Sequence, residues 1–247
     1  MTRWTEFAWC AFLYGAIDGD KAYQTLMNKT VFLEKIRNDP AGVSPDEIQK
    51  DLIYFLNQWR TRISHETANE IRAQIIKIHP FLAALSQVSV ENVDLGKSVI
   101  VNSTSITVFD VVKECYNGLD AVHGIGPTAT SKILHVLQPR LFMMWDALIL
   151  DCCHKKHSGV DGSGKGYATY LQIMQPVSAQ VAQDFAMSDL NPSTHLGETP
   201  AAYLSARLEY DPPKTMAKYL DEYNWVTVTT IKNGVKMPPS WHPEKGS

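Results

Sequence analysis

An aspartate and a glycine turn stand out as the residues that can do chemistry together. Asp146 follows the apolar run 142–145, and Ala147 behind it can begin a helix that the carboxylate caps. The turn Gly124-Ile125-Gly126 lies 22 residues earlier. A carboxylate held against apolar walls can stabilise a developing cation or activate water. The residues alone leave a plain helix-capping aspartate as an equal alternative.

The turn around Gly124 has the composition of an anion site. Glycines let the backbone turn tightly and approach a ligand closely, and a helix is predicted to begin at Pro127, a favoured first position. Its first N–H groups and its dipole attract phosphate. Ile125 is expected to anchor the turn in the core. The predicted DNA-contacting residues in and after the turn are Gly124, Ile125, Gly126, Thr128, Thr130, Ser131 and Lys132. An ordinary tight corner between two helices is the alternative.

The segment from Leu119 to Leu134, together with Asp146 at its distance, resembles the helix-hairpin-helix (HhH-GPD) DNA glycosylase superfamily, of which this chain would be a divergent member. The resemblance covers residues 108 to 150. It implies an all-α, two-lobed helical fold, with Asp146 as the catalytic carboxylate that hydrolyses the bond between a flipped base and its sugar. It also implies double-stranded DNA with a damaged or modified base as the partner.

The chain departs from the family's pattern in two places. Members that also cleave the strand carry a lysine nucleophile early in the second hairpin helix, where this chain has Thr128. We therefore expect hydrolysis by water without lyase activity, with Lys132 catalytic only in a bifunctional enzyme. The family's histidine and arginine beyond the aspartate are missing from residues 147–151, which leaves a non-catalytic hairpin protein that binds DNA as the alternative.

Base recognition requires stacking aromatic rings and polar groups that read base edges. The candidates for the base pocket are Tyr116, Trp145 and His123, and the further aromatic candidates are Trp4, Trp9, Trp59 and Trp225. His123 and His135 rank low, since a lone histidine is more often structural than catalytic. The substrate stays open between oxidised purines, alkylated bases, mismatched bases and hypermodified phage cytosines, of which the last implies antiviral defence.

The formal net charge of −3 means that any DNA surface must be a local basic patch. Arg140 and Lys165 are predicted to contribute to it, as are Lys155 and Lys156. Cys153 and His157 share a helix face, but a zinc site needs four ligands, so no metal and no cofactor is expected. Scattered cysteines predict an intracellular protein, and the absence of a long apolar run predicts no membrane partner. Nothing in the sequence demands an oligomer, so a monomer is expected.

The hydrophobic pattern is helical almost throughout, and no linker divides the chain, so one compact unit over residues 1–247 is predicted. Minor β-structure is expected near 88–108 and 225–236, where Val and Thr alternate with other residues. Ser44 is predicted to open a helix with a capping box. The predicted helices are 5–27, 48–59, 65–85 with Pro80 inside, 166–187 with Pro176 inside, 199–208 and 213–223, with a break at Asn191-Pro192.

Overall fold

The computed structural model describes residues 3–17, 20–188, 198–238, 241 and 243, and it is mostly helical. The helices of this part of the chain are α1 Arg3–Ile17, α2 Lys21–Met27, α3 Thr30–Asn38, α4 Pro45–Glu47, α5 Tyr54–Gln58, α6 Ala68–Ala84, α7 Val108–Asp120, α8 Pro127–Leu137, α9 Ala147–Lys156, α10 Gly164–Ala186, α11 Pro200–Arg207 and α12 Met216–Val226. Turns with 3₁₀ geometry span Pro40–Gly42 and His65–Thr67, and π-helical turns span Ile48–Ile53 and Thr227–Ile231. The all-α prediction is confirmed. The predicted break at Asn191-Pro192 lies outside the described residues.

Local sequence rules set several of these helix boundaries. The Ser44 hydroxyl accepts a hydrogen bond from the Glu47 N–H at 3.2 Å, and the Glu47 carboxylate accepts one from the Ser44 N–H at 2.7 Å. This is the reciprocal capping box that the sequence predicts. Pro80 and Pro176 both lie inside continuous helices, α6 and α10, so neither proline ends its helix.

Helix α7, which leads into the glycine turn, lies in the middle of the molecule. It packs against both α6 and α10, while α1 packs against α10 and α12. The amino-terminal helix is tied to both, since the Arg3 guanidinium donates to the Tyr223 hydroxyl at 2.8 Å and the Arg3 N–H donates to Asp184 at 2.7 Å. Helices α1, α10 and α12 therefore form one packed group, and α10 connects that group to α7.

A two-stranded antiparallel sheet joins α6 to α7. Strand β1 is Ser98–Val101 and β2 is Thr104–Thr107, and Val101 pairs with Thr104. Asn102 and Ser103 form the turn at positive φ (48° and 67°), as a tight two-residue hairpin turn requires. The prediction of β-structure near 88–108 is confirmed.

The prediction of β-structure near 225–236 is wrong, because α12 runs into the π-helical turn Thr227–Ile231. The hydroxyls of Thr227 and Thr229 donate to the carbonyls of Tyr223 and Trp225, four residues earlier, at 2.8 and 2.6 Å. This back-bonding satisfies the threonine side chains within the helix, so their β propensity does not decide the structure.

The described residues contain neither a membrane-spanning helix nor a metal-binding cluster. No helix among them combines the length and the apolar character that crossing a bilayer requires. Nor does this part of the chain bring three or more His, Cys, Asp or Glu side chains together in a way that would hold a metal ion.

Candidate active site

The glycine turn joins α7 to α8 as the sequence predicts. Gly124 has φ +81°, a left-handed conformation that favours glycine, and Ile125 is 6% exposed, so it anchors the turn. A Cβ at Gly124 or Gly126 would meet nothing within 4 Å, so the outer face of the turn is open. The first intrahelical bond of α8 runs from the Thr130 N–H to the Gly126 carbonyl at 3.0 Å. The N–H groups of Thr128 and Ala129 precede that bond and can receive an anion.

Helix α8 is more deeply buried than the sequence indicates. Every residue from Ala129 to Leu137 is buried, because the helix lies in the core rather than along the surface. Thr130 and Ser131 are 0% exposed, so the expectation that their hydroxyls contact DNA phosphate is wrong for this conformation. Lys132 is 5% exposed, and the expectation that it contacts the DNA backbone fails for the same reason.

Ser131 and Trp145 instead connect α8 to the segment that ends at Asp146. The Trp145 N–H donates to the Ser131 hydroxyl at 3.2 Å, and that hydroxyl lies 3.0 Å from the Thr128 carbonyl, to which it donates. The indole N–H of Trp145 donates to the Pro127 carbonyl at 3.0 Å. The residue before Asp146 is therefore hydrogen-bonded to the first turns of α8, the helix that follows the glycine turn.

Asp146 caps α9 and also faces a cavity. Its backbone is extended, and its Oδ1 accepts a hydrogen bond from the Ile149 N–H at 2.8 Å, as the sequence predicts. The side chain is half-buried and lines a cavity of about 620 Å³. Because the cap uses one carboxylate oxygen, the other is free to serve a ligand in the cavity.

The cavity combines aromatic rings with ionisable groups from five parts of the chain. Its volume is within the ~300–1,000 Å³ typical of small-molecule pockets. It is lined by Tyr14 of α1, Trp59 and Arg60 after α5, Thr128 and Lys132 of α8, Trp145, Asp146 and Ala147 at the start of α9, and Asp221 and Trp225 of α12. The rings of Tyr14 and Trp225 meet edge to face with their centroids 5.5 Å apart.

Lys132 projects into this cavity one helical turn beyond Thr128. Its ammonium lies 4.2 Å from the centroid of the Trp59 ring, in a cation–π contact. Burial lowers the pKa of Lys132 to about 8, although the carboxylates of Asp221 and Asp146 oppose that shift. At pH 7 about a tenth of this amine is therefore neutral and nucleophilic.

The predicted site residues Tyr116, His123, Arg140 and Lys165 do not line the cavity. Tyr116 is fully buried, with its ring stacked on Tyr167 at 4.9 Å between centroids, so it supports Trp145 rather than facing a base. His123 is exposed in the turn, Arg140 is exposed before the Asp146 segment, and Lys165 is exposed in the first turn of α10. Of the further aromatic candidates, the cavity contains Trp59 and Trp225, while Trp4 and Trp9 are core residues, 1% and 7% exposed.

Three residues of the cavity carried no signal that sequence reasoning used. Tyr14, Arg60 and Asp221 lie in segments whose spacing indicates only ordinary helices and a loop. A larger cavity of about 830 Å³ lies between α2, α3 and α6, and its lining includes Arg37 and His79. We favour the smaller cavity as the functional one because, of these two, it alone is lined by Asp146 and by Thr128 in the first turn of α8.

Comparisons with protein-family models, with curated proteins and with solved structures returned no match for this chain. The case for function therefore depends on the geometry of the site.

Proposed function

We propose that this chain is a DNA N-glycosylase that releases a flipped, damaged or modified base, with Asp146 as the catalytic carboxylate. The observation that carries the proposal is the hydrogen bond from the Trp145 indole to the Pro127 carbonyl. It connects the segment that ends at Asp146 to a turn that is suited to binding phosphate. An enzyme that excises a base needs these two parts at a fixed separation, since it must hold the backbone while it attacks the neighbouring sugar.

The glycine turn would hold the DNA backbone. The N–H groups of Thr128 and Ala129 precede the first intrahelical bond of α8, at a helix end where an anion is favoured without any side-chain charge. Such contacts position the duplex and carry no sequence information. Arg140 and Lys165 are exposed and would add the salt-dependent attraction of a basic surface.

The cavity would receive the extruded base. Trp59, Tyr14 and Trp225 supply aromatic faces, on which any base can stack. The buried carboxylate of Asp221 can accept hydrogen bonds from N–H groups on a base edge. These features fit a planar heterocycle.

Asp146 would act on the sugar. When the bond between C1′ and the base nitrogen breaks, its electron pair leaves with the base, which takes up a proton, and positive charge develops on the sugar ring. A carboxylate beside that ring stabilises the charge and orients or deprotonates the water that attacks C1′. The products are the free base and an abasic site.

A base-release assay on duplexes that carry oxidised, alkylated, mismatched or hypermodified bases tests the proposal. Asp146→Asn is the informative variant, because asparagine caps a helix as well as aspartate does but has no charge. Asp151→Asn is its matched control, since Asp151 is an exposed acid of the same helix that pairs with Lys155 at 2.6 Å. We expect release by wild type and the control, and none by Asp146→Asn. Binding without release on any substrate would favour the non-catalytic hairpin protein.

The position of Lys132 favours strand cleavage as a second candidate activity. Its amine shares the cavity with Asp146, whereas Thr128 at the family's lysine position favours hydrolysis by water. In this route the neutral amine attacks C1′ as the base leaves, the sugar ring opens to an iminium, and loss of a proton from C2′ expels the 3′ phosphate. Borohydride would trap the iminium as a covalent adduct that Lys132→Gln lacks. Strand breaks that appear only after alkali, without an adduct, would establish hydrolysis by water.

A further inference from the structure

Beneath the cavity lies a buried cluster of five charged side chains, which we call the charged cluster: Asp20, Lys214, Lys218, Asp221 and Glu222. The ammonium of Lys218 lies 3.0 Å from Glu222, 3.3 Å from Asp20 and 3.3 Å from Asp221. Lys214 lies 2.8 Å from Glu222 and also pairs with Asp20. Both lysine side chains are 0% exposed.

The charged cluster contains more carboxylates than ammonium groups, three against two. Buried charges are stable only when they are paired. Burial alone would lower the pKa of Lys218, but the carboxylates of Glu222, Asp20 and Asp221 raise it well above its ordinary value. Lys218 therefore stays charged, and one carboxylate of the cluster has no ammonium of its own.

Asp221 is the member of the charged cluster that also lines the cavity, where Lys132 lies. Its carboxylate raises the pKa of Lys132, whereas the Lys218 ammonium lowers it. The Trp59 ring is close to both lysines, with the Lys132 ammonium 4.2 Å and the Lys218 ammonium 5.5 Å from its centroid. The Asp221 carboxylate and the Lys132 ammonium therefore line the same cavity.

We propose that Asp221 is a positioning residue for Lys132, and that Lys218 fixes the Asp221 carboxylate so that this pair sets the protonation state of the cavity amine. Lys218 is at i−3 from Asp221 on α12, so the helix itself holds the two side chains in register. The carboxylate attracts the Lys132 ammonium, while the buried Lys218 opposes it. The balance leaves an amine that can lose its proton near neutral pH.

Three other charged or titratable groups line the cavity beside Lys132. Asp146 approaches from the start of α9 and favours the ammonium, and Tyr14 of α1 lines the same cavity. Arg60 also lines the cavity but is exposed, so solvent screens its charge. Asp221 differs from Asp146 in having a fixed buried cation as its partner. This inference rests on the proposed function only for the role of the Lys132 amine as a nucleophile toward the sugar.

The test measures the pH dependence of Lys132 acetylation by trace acetic anhydride between pH 6 and 10, with mass spectrometry of the peptide that contains Lys132. Lys132→Arg identifies the signal. Removing the carboxylate in Asp221→Asn should make the ammonium lose its proton more readily, which moves the midpoint about one pH unit lower. Acetylation at pH 7 should then be several-fold faster than in wild type.

Glu222→Gln is the matched control, because Glu222 neighbours Asp221 on the same helix and also contacts Lys218, at 3.0 Å, but does not line the cavity. It should keep the wild-type midpoint. An unchanged midpoint in Asp221→Asn, or an equal shift in both variants, would overturn the proposal. Circular dichroism checks folding, and Asp221→Ser replaces Asp221→Asn if the latter does not fold.

The acetylation assay contains no DNA, so its result does not depend on the proposed function. If borohydride traps an adduct with wild type, the pH profile of trapping should move in the same direction as the acetylation midpoint in Asp221→Asn. If no DNA substrate reacts but the acetylation midpoint shifts, the proposed function fails and the role of Asp221 stands. If wild type releases a base but the acetylation midpoint does not shift in Asp221→Asn, the proposed function stands and the role of Asp221 fails.

Discussion

The indole N–H of Trp145 donates a hydrogen bond to the carbonyl oxygen of Pro127 at 3.0 Å. This bond joins the residue before the cavity carboxylate to the first residue of the hairpin helix. The carboxylate is proposed to act on the sugar, and the amino end of this helix is proposed to bind the phosphate. Together with the hydrogen bond from the Trp145 N–H to the Ser131 hydroxyl, this contact sets the distance between the amino end of α8 and the Asp146 carboxylate.

Trp145→Phe should slow base release more than a substitution that destabilises the protein equally at a site not connected to the glycine turn. Phenylalanine keeps an aromatic ring against Tyr167 and Tyr170 but cannot donate to Pro127, so unfolding should become easier by about 1 kcal/mol. Tyr167→Phe is the control, because it removes a buried hydrogen bond, to the Met143 carbonyl at 2.5 Å, that does not reach the hairpin. Equal losses of activity in the two variants, at similar stability, would argue against this role for Trp145.

Substitutions at the two glycines of the turn should separate folding from DNA binding. Gly124→Ala places a Cβ at φ +81° and should destabilise the protein by about 1 kcal/mol. Gly126 has φ −106° and open space around it, so Gly126→Val should fold but weaken binding to duplex DNA in a fluorescence anisotropy titration. Wild-type affinity in Gly126→Val would exclude close approach of the DNA backbone at this point.

His135 should make the protein sensitive to acid. The ring is fully buried between the Phe142 carbonyl, at 2.7 Å, and the Tyr23 hydroxyl, at 3.0 Å, and burial lowers its pKa from 6.5 to about 3. The unfolded chain binds this proton more readily than the folded protein does. The contribution of neutral His135 to the free energy of unfolding is therefore complete above pH 6.5, and it is lost as the pH falls toward 3, by up to roughly 1.4 kcal/mol per pH unit. Urea titrations at pH 7 and pH 4 should show a smaller difference in the free energy of unfolding for His135→Gln than for wild type.

Arg62 should be a site where glycine stabilises the fold. It has φ 56° in an exposed loop, where the side chain of Asn57 bonds both the N–H and the carbonyl of Ile63, at 2.8 and 3.0 Å. Arg62→Gly should relieve the strain of the left-handed conformation and raise the free energy of unfolding by roughly 0.5–1 kcal/mol. Arg62→Ala removes the same charge without that relief, so a thermal melt in which both variants behave alike would show that the strain is small.

The parts of the site that follow local rules could be predicted from the sequence. Gly124, Pro127 and Asp146 each have a side chain, or lack one, that suits only a few positions at helix ends, and the structure confirms the turn, the first residue of α8 and the cap on α9. The same holds for Ser44 and its capping box.

Burial and long-range assembly could not be read from those rules. The polar residues Thr130 and Ser131 look exposed in the sequence, yet α8 runs through the core. Asp221 reaches the cavity through the packing of α12 against α1 and α9, and no local sequence pattern predicts those contacts. The alternation of Val and Thr after Trp225 predicts a strand, but threonine hydroxyls bonded within the helix override it.

The most direct measurement of the central claim is single-turnover base release by Asp146→Asn and Asp151→Asn on the substrate that wild type cleaves. Binding is measured in parallel on a duplex with a tetrahydrofuran abasic analogue. We predict that Asp146→Asn binds as wild type does and releases base at least a hundredfold more slowly, on the order of the loss of one key electrostatic contact, while Asp151→Asn retains full activity. Release by Asp146→Asn at the wild-type rate would contradict the assignment of Asp146 as the catalytic carboxylate.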